Sequence, residues 1–144
     1  MYSTLSPDGR WLAYQSDESG QQEIYVVPFP GVDGGKREVS DGGGVAAVWN
    51  PRGGELFYRS PEGGVMVVPM VAAGASLTVG SPELLWEKRY YFGSAGRSYG
   101  VARDGRRLLM IEDDPSSAAR RGAADIVIVR NWFEELKERV PTTP

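Results

Sequence analysis

The chain contains no cysteine and no histidine. Without cysteine there is no disulfide frame, no thiolate nucleophile and no thiolate metal ligand. Either redox compartment tolerates that absence, so it does not locate the protein. Without histidine, a Ser-His-Asp triad, a Cys-His dyad and a His-ligated zinc site are excluded. No stretch approaches the ~18 apolar residues of a membrane-spanning helix. Met1 is not followed by the basic segment and apolar core of a signal peptide, so no direct membrane insertion is expected. Basic charge is also in short supply: 16 Lys and Arg face 19 Asp and Glu, for a net charge of −3. A nucleic-acid binder would normally carry a basic face, and no nucleic-acid partner is expected. The arginines at 103, 106, 107, 120 and 121 are interleaved with Asp104, Glu112, Asp113 and Asp114. That pattern describes a solvated surface of mixed charge.

What is present points to strands and turns. The 144 residues are 41% hydrophobic and 24% charged, which suits one globular domain of ordinary size. Nineteen glycines and ten prolines punctuate the chain at the short intervals of many strands joined by tight turns.

Three segments align without gaps: "SPDGRWLAY" from Ser6, "NPRGGELFY" from Asn50 and "ARDGRRLLM" from Ala102. The offsets are 44 and 52 residues, near the period of a propeller blade. In the first turn Pro7 fixes φ, Asp8 can accept nearby backbone N–H groups and Gly9 takes positive φ without penalty. Arg52 and Arg103 each replace one of those parts. After each turn a strand is expected, at Trp11–Ser16, Glu55–Arg59 and Arg107–Glu112. A second strand follows at Glu23–Pro28, Gly64–Met70 and Asp125–Arg130. Their unbroken Val, Ile, Tyr and Met runs suit strands buried on both faces. Innermost strands are expected at Tyr2–Leu5, Val45–Trp49 and Ser98–Ala102, and a fourth, outer strand at Lys36–Ser40 and around Leu77–Gly80. "SPELLWEKRYYF" (Ser81–Phe92) is expected as an extra strand or a loop packed over the blades.

The predicted fold is therefore all-β: a partial β-propeller of about three four-stranded antiparallel blades, near 1–44, 45–96 and 97–130. A short C-terminal helix is predicted over 131–140, before a tail at 141–144. Asn131 and Glu134 form a capping-box pair, and Trp132, Phe133, Leu136 and Val140 make one apolar stripe. Docking of that stripe on the propeller is favoured over display to another protein.

"SPDGRWLAYQSDESGQQEIYVVPFPG" (Ser6–Gly31) resembles the repeat of TolB-type, WD40-like propellers, with its SPDG turn, apolar strand and "IYVV". "YGVARDGRRLLMIEDD" together with "ADIVIVRNWFEELKERVP" resembles the end of the propeller carried by certain bacterial membrane-associated serine/threonine kinases. The resemblance covers nearly the whole chain. It implies a non-enzymatic segment for protein–protein interaction or ligand sensing, the C-terminal part of a larger propeller. The chain itself has no kinase motifs, and H-R-D is impossible without histidine. Propellers typically need four to eight blades. Blades missing upstream, or a homodimer closing a ring of about six, are therefore the expected partners, alongside another protein. Two alternatives stand beside this reading: a propeller accessory domain of a peptidase or hydrolase, and a structural fragment with no function of its own.

No catalytic constellation is found. Neighbouring carboxylates such as Asp17 and Glu18 fall on opposite faces of a strand, and Asp113–Asp114 offers only a fragment of a calcium loop. "GVDGG" and "DGGG" lack the Lys-Ser/Thr and helix of a phosphate loop. No cofactor, metal or catalytic residue is expected. The binding candidates are Trp49, Tyr90, Tyr91, Arg97 and Trp132. Tyr90, Tyr91 and Arg97 lie in the irregular insertion, where loops carry recognition more often than scaffolds do.

Overall fold

The computed structural model describes residues 2–87, 90–91 and 98–112, and the backbone of 125–130. The chain divides into two compact units, Met1–Lys88 and Arg89–Pro144. All regular structure among the described residues is β-strand.

The first unit holds two sheets. The first runs in the order β1 (Ser3–Leu5), β2 (Trp11–Ser16), β3 (Glu23–Pro28), β4 (Arg37–Glu38), each pair antiparallel. Strand β2 alternates: Trp11 and Ala13 are buried, while Leu12 and Tyr14 are half-buried. In β3 every residue from Glu23 to Val27 is buried, as its unbroken apolar run predicts. The second sheet starts with β5 (Val45–Trp49), β6 (Glu55–Arg59) and β7 (Val65–Ala73).

Beyond β7 the second sheet departs from expectation. Strand β7 is nine residues long and takes two different partners. Its far end, Met70–Ala73, folds back on β8 (Ser76–Val79) through a turn with Gly74 at φ 59°. Its near end, Val65–Val67, pairs with β9 (Glu83–Trp86). The fourth strand of the sheet is thus β9, inside the stretch expected as an insertion. The Leu77 segment expected in that place is the return arm of a hairpin. Leu77 is buried in the core, which holds the hairpin down.

The two sheets stack face to face. Trp11, Ala13, Ile24, Val26 and Val39 of the first meet Ala47, Trp49, Leu56, Tyr58, Val68, Met70 and Leu77 of the second. The indole N–H of Trp49 donates to the Thr4 carbonyl at 3.1 Å. Gln15 adds a second tie, accepting the Ala46 amide at 3.1 Å. Ala46 sits at φ 56°, where the β5–β6 register shifts. That positive φ in a non-glycine residue marks a bulge held by its surroundings.

The second unit contains a sheet ordered β10 (Tyr99–Val101), β11 (Arg107–Glu112), β12 (Asp125–Arg130). Leu108 and Met110 are buried, and Leu109 between them is exposed. The predicted helix over 131–140 and the tail at 141–144 lie outside the described residues.

Candidate interaction surfaces

The three repeat turns are closed by the same backbone bonds. Ser6 N–H donates to Trp11 O and Gly9 N–H to Ser6 O; Asn50 with Glu55, Gly53 with Asn50, Ala102 with Arg107 and Gly105 with Ala102 repeat the pattern, all at 2.8–2.9 Å. The side-chain part differs. Asp8 Oδ1 accepts the Arg10 amide at 3.2 Å and the Ser6 hydroxyl at 2.5 Å. Asp104 Oδ1 likewise accepts the Arg106 amide at 3.0 Å. In the middle turn that position is Arg52, which cannot accept. Asn50 Oδ1 takes over, accepting the Arg52 amide at 3.0 Å, while its Nδ2 donates to Glu55 at 2.8 Å.

Burial pushes the Glu55 carboxyl above its ordinary pKa, the Asn50 bond opposing in part. A carboxylate raised in the folded state binds its proton more tightly there than when unfolded. Its ionisation therefore works against folding, and stability falls as pH rises through its titration. Glu55→Gln keeps an acceptor for Asn50 and removes the charge. It is expected to raise the Tm modestly at pH 7, with the gain over the parent vanishing near pH 3 in paired thermal melts.

Two clefts border the stacked sheets, one of them at an end of the seam between the two. At the first two repeat turns lies a cleft of about 510 Å³, with Trp11, Trp49, Met70 and Leu77 as its apolar lining and Asp8 and Arg52 among its polar residues. The Arg10 guanidinium donates to the Gly74 carbonyl and so ties the β7–β8 hairpin across to the first sheet. Around the β6–β7 turn lies a second pocket of about 410 Å³, lined by Tyr58, Met66 and Leu84 with Asp41, Glu62 and Glu87. Burial pushes the Tyr58 phenol up. Among the described residues no group of three or more acidic side chains is placed to hold a metal ion.

A third surface is the outer face of the first sheet. The registers Leu5↔Leu12 and Leu12↔Val27 match Trp49↔Leu56 and Leu56↔Val68 in the second sheet. Ser3, Leu5, Leu12, Tyr14, Val27 and Phe29 therefore occupy the positions with which Ala47, Trp49, Leu56, Tyr58, Val68 and Met70 pack on the first sheet. Leu5 and Phe29 are exposed, at 45% and 41%. Tyr14 lies 5.7 Å from the Tyr25 ring. Lys36 covers that ring at 4.6 Å and pairs with Glu18 at 2.7 Å.

Of the candidates taken from sequence, Trp49 is buried and lines the first cleft. Tyr90 is buried and bridged to Glu112 at the end of β11, while Tyr91 is exposed and donates its amide to Ile111 O at 2.8 Å. The pair thus belongs to the third sheet. Arg97 and Trp132 lie outside the described residues. Asp8 and Arg52 carry the polar side of the cleft, and sequence reasoning read both as turn residues only.

No protein-family model and no curated protein matches this sequence. Solved structures do match. TolB from Acinetobacter baumannii is 16% identical, with a TM-score of 0.56 over 90% of this chain and 29% of its own. A protein designated TolB from Agrobacterium tumefaciens is 14% identical, with a TM-score of 0.54 over 92% of this chain and 47% of its own. The fold is that of a TolB-like β-propeller. It is not tied to one activity: an oligogalacturonate lyase from Vibrio parahaemolyticus, 16% identical, gives a TM-score of 0.54 over 88% of this chain and 35% of its own. The chain spans less than half the length of each of these propeller proteins.

Proposed function

We propose that this chain is a non-enzymatic propeller segment that works by protein–protein interaction, and that the outer face of its first sheet is where a further blade seats. One observation carries the reading: at Leu5, Leu12, Tyr14, Val27 and Phe29 that face repeats the apolar set by which the second sheet packs on the first, Ser3 alone standing where that set has Ala47. Burying an exposed Leu or Phe side chain fully is worth roughly 1.5–3 kcal/mol, so leaving Leu5 and Phe29 in water is costly. The blade comes from a second copy of the chain or from a longer protein that includes it. The resemblance of Tyr99–Pro141 to the end of kinase-linked propellers supports a bacterial membrane-associated kinase as that longer protein. The coding region upstream tests the link: a kinase domain in frame supports it, and any other continuation overturns it.

The test of the face is the absolute mass of the chain in solution by light scattering, from low to high micromolar concentration. The expected result is a mass that climbs above the 15.7 kDa of one chain, and that Leu12→Arg returns to the monomer with cooperative melting retained. A parent chain that stays monomeric and melts cooperatively at every concentration overturns the reading.

A further inference from the structure

We propose that the cleft at the first two repeat turns binds a peptide C-terminus, its carboxylate held by Arg52 and its last apolar side chain against Trp11 and Trp49. The first observation is a departure from the repeat. The position of Arg52 is an aspartate in both other turns, and there the carboxylate caps its own turn. The middle turn is capped by Asn50 instead, so it makes no use of the Arg52 side chain. That guanidinium is exposed beside an apolar cleft and has no hydrogen bond or ion pair among the described residues. A repeat position that drops its structural residue while the turn is repaired elsewhere is where function is expected to have intervened.

The second observation is independent. Trp11 lines the same cleft and is 4% exposed, and its indole N–H has no acceptor among the described residues. The equivalent need of Trp49 is met by Thr4. An indole N–H and a guanidinium only donate, and a buried donor without an acceptor is costly. The missing group is therefore an acceptor, and guanidinium pairs a carboxylate through two parallel bonds.

Asp8 decides between a peptide and a simple fatty acid. The Ser6 hydroxyl, first, and the Arg10 amide lower its pKa, so it is ionised at neutral pH. It repels a carboxylate from its own side of the cleft and accepts amide N–H groups, which a peptide has and a fatty acid lacks. The volume of about 510 Å³ falls in the range of ~300–1,000 Å³ usual for ligand pockets.

The experiment uses the full chain and a fluorescein-labelled hexapeptide, Gly-Ser-Gly-Ser-Ala-Leu, read by fluorescence polarisation. The peptide with a free C-terminus is expected to bind. Amidation of that terminus and Arg52→Glu are each expected to weaken binding tenfold or more, Arg52→Lys less, and Arg37→Glu on β4 not at all. Arg52 is exposed, so its variants are expected to melt with the parent. Equal binding of the amidated peptide, an unchanged affinity for Arg52→Glu, or no binding at millimolar peptide overturns the proposal. Decanoate displacing the peptide as well as an unlabelled copy does overturns the peptide assignment. Leu12→Arg, which breaks the blade-seating face, is expected to leave peptide affinity unchanged, so the two readings fail separately.

Discussion

Replacing Trp49 by alanine is expected to cost about 3–5 kcal/mol, and to lower the Tm by about 10 °C or more for a chain of this size. Domains of this kind have only ~5–15 kcal/mol in total, so the variant stands close to unfolding. Two contributions are lost together. The indole is 6% exposed in the core between the sheets, and its N–H is the tie to Thr4 of the first sheet. Phenylalanine separates them. Trp49→Phe keeps most of the apolar burial but leaves the Thr4 carbonyl short of a donor, a cost of roughly 1–3 kcal/mol. Trp11→Phe removes an N–H that has no acceptor among the described residues and is expected to cost less by about 1 kcal/mol or more. Equal Tm losses for the two phenylalanine variants would mean that the Thr4 bond contributes nothing.

The same comparison shows what sequence could and could not reveal. Trp11–Ser16, Glu23–Pro28, Val45–Trp49, Glu55–Arg59, Arg107–Glu112 and Asp125–Arg130 are strands with the bounds that the aligned turns and apolar runs predict. Their signals are local: a Pro or Gly stop, then a run of strand formers. The partners of β7 were not legible in the same way. Leu77 and Leu84 both sit in strand-like stretches, and only tertiary packing decides which of them closes the sheet. Tyr90 reads as loop display because its neighbours break the repeat, yet it is buried and bridged to Glu112. Arg52 is the instructive case. Its signal was visible in the alignment, an Asp exchanged for Arg together with Asn in place of Ser at the first turn position. The turn as a whole nevertheless reads as structural, because the neighbouring apolar wall comes from a hairpin whose place the local sequence does not determine.

The crossover from β4 to β5 should be as sensitive as the core. Gly43 has φ 111°, outside the left-handed region that an L side chain tolerates at small cost. A Cβ there would lie 3.1 Å from Pro61 Cδ and closer still to Cγ. Gly44 is hemmed in as well, with an added Cβ 2.7 Å from Ser40 Cβ and 3.0 Å from Tyr58 Cδ2. Its amide donates to Gln22 O at 2.7 Å in the β2–β3 turn. One short segment thus touches a turn of each sheet, Gln22 in the first and Pro61 in the second, and sets how the sheets stack. Gly43→Ala combines backbone strain of about 1–3 kcal/mol with a collision that only movement of the β6–β7 turn relieves. Gly9→Ala is the control: φ is 69° and nothing lies within 4 Å of the added Cβ, so only the smaller conformational cost of about 1 kcal/mol remains. Thermal melts are expected to rank Gly43→Ala well below Gly9→Ala. Because the 410 Å³ pocket is built from Asp41 of the crossover and Glu62 of that same turn, its walls must shift together with the stability. A Gly43→Ala chain as stable as Gly9→Ala would mean that the stacking of the sheets is fixed by the core cluster alone.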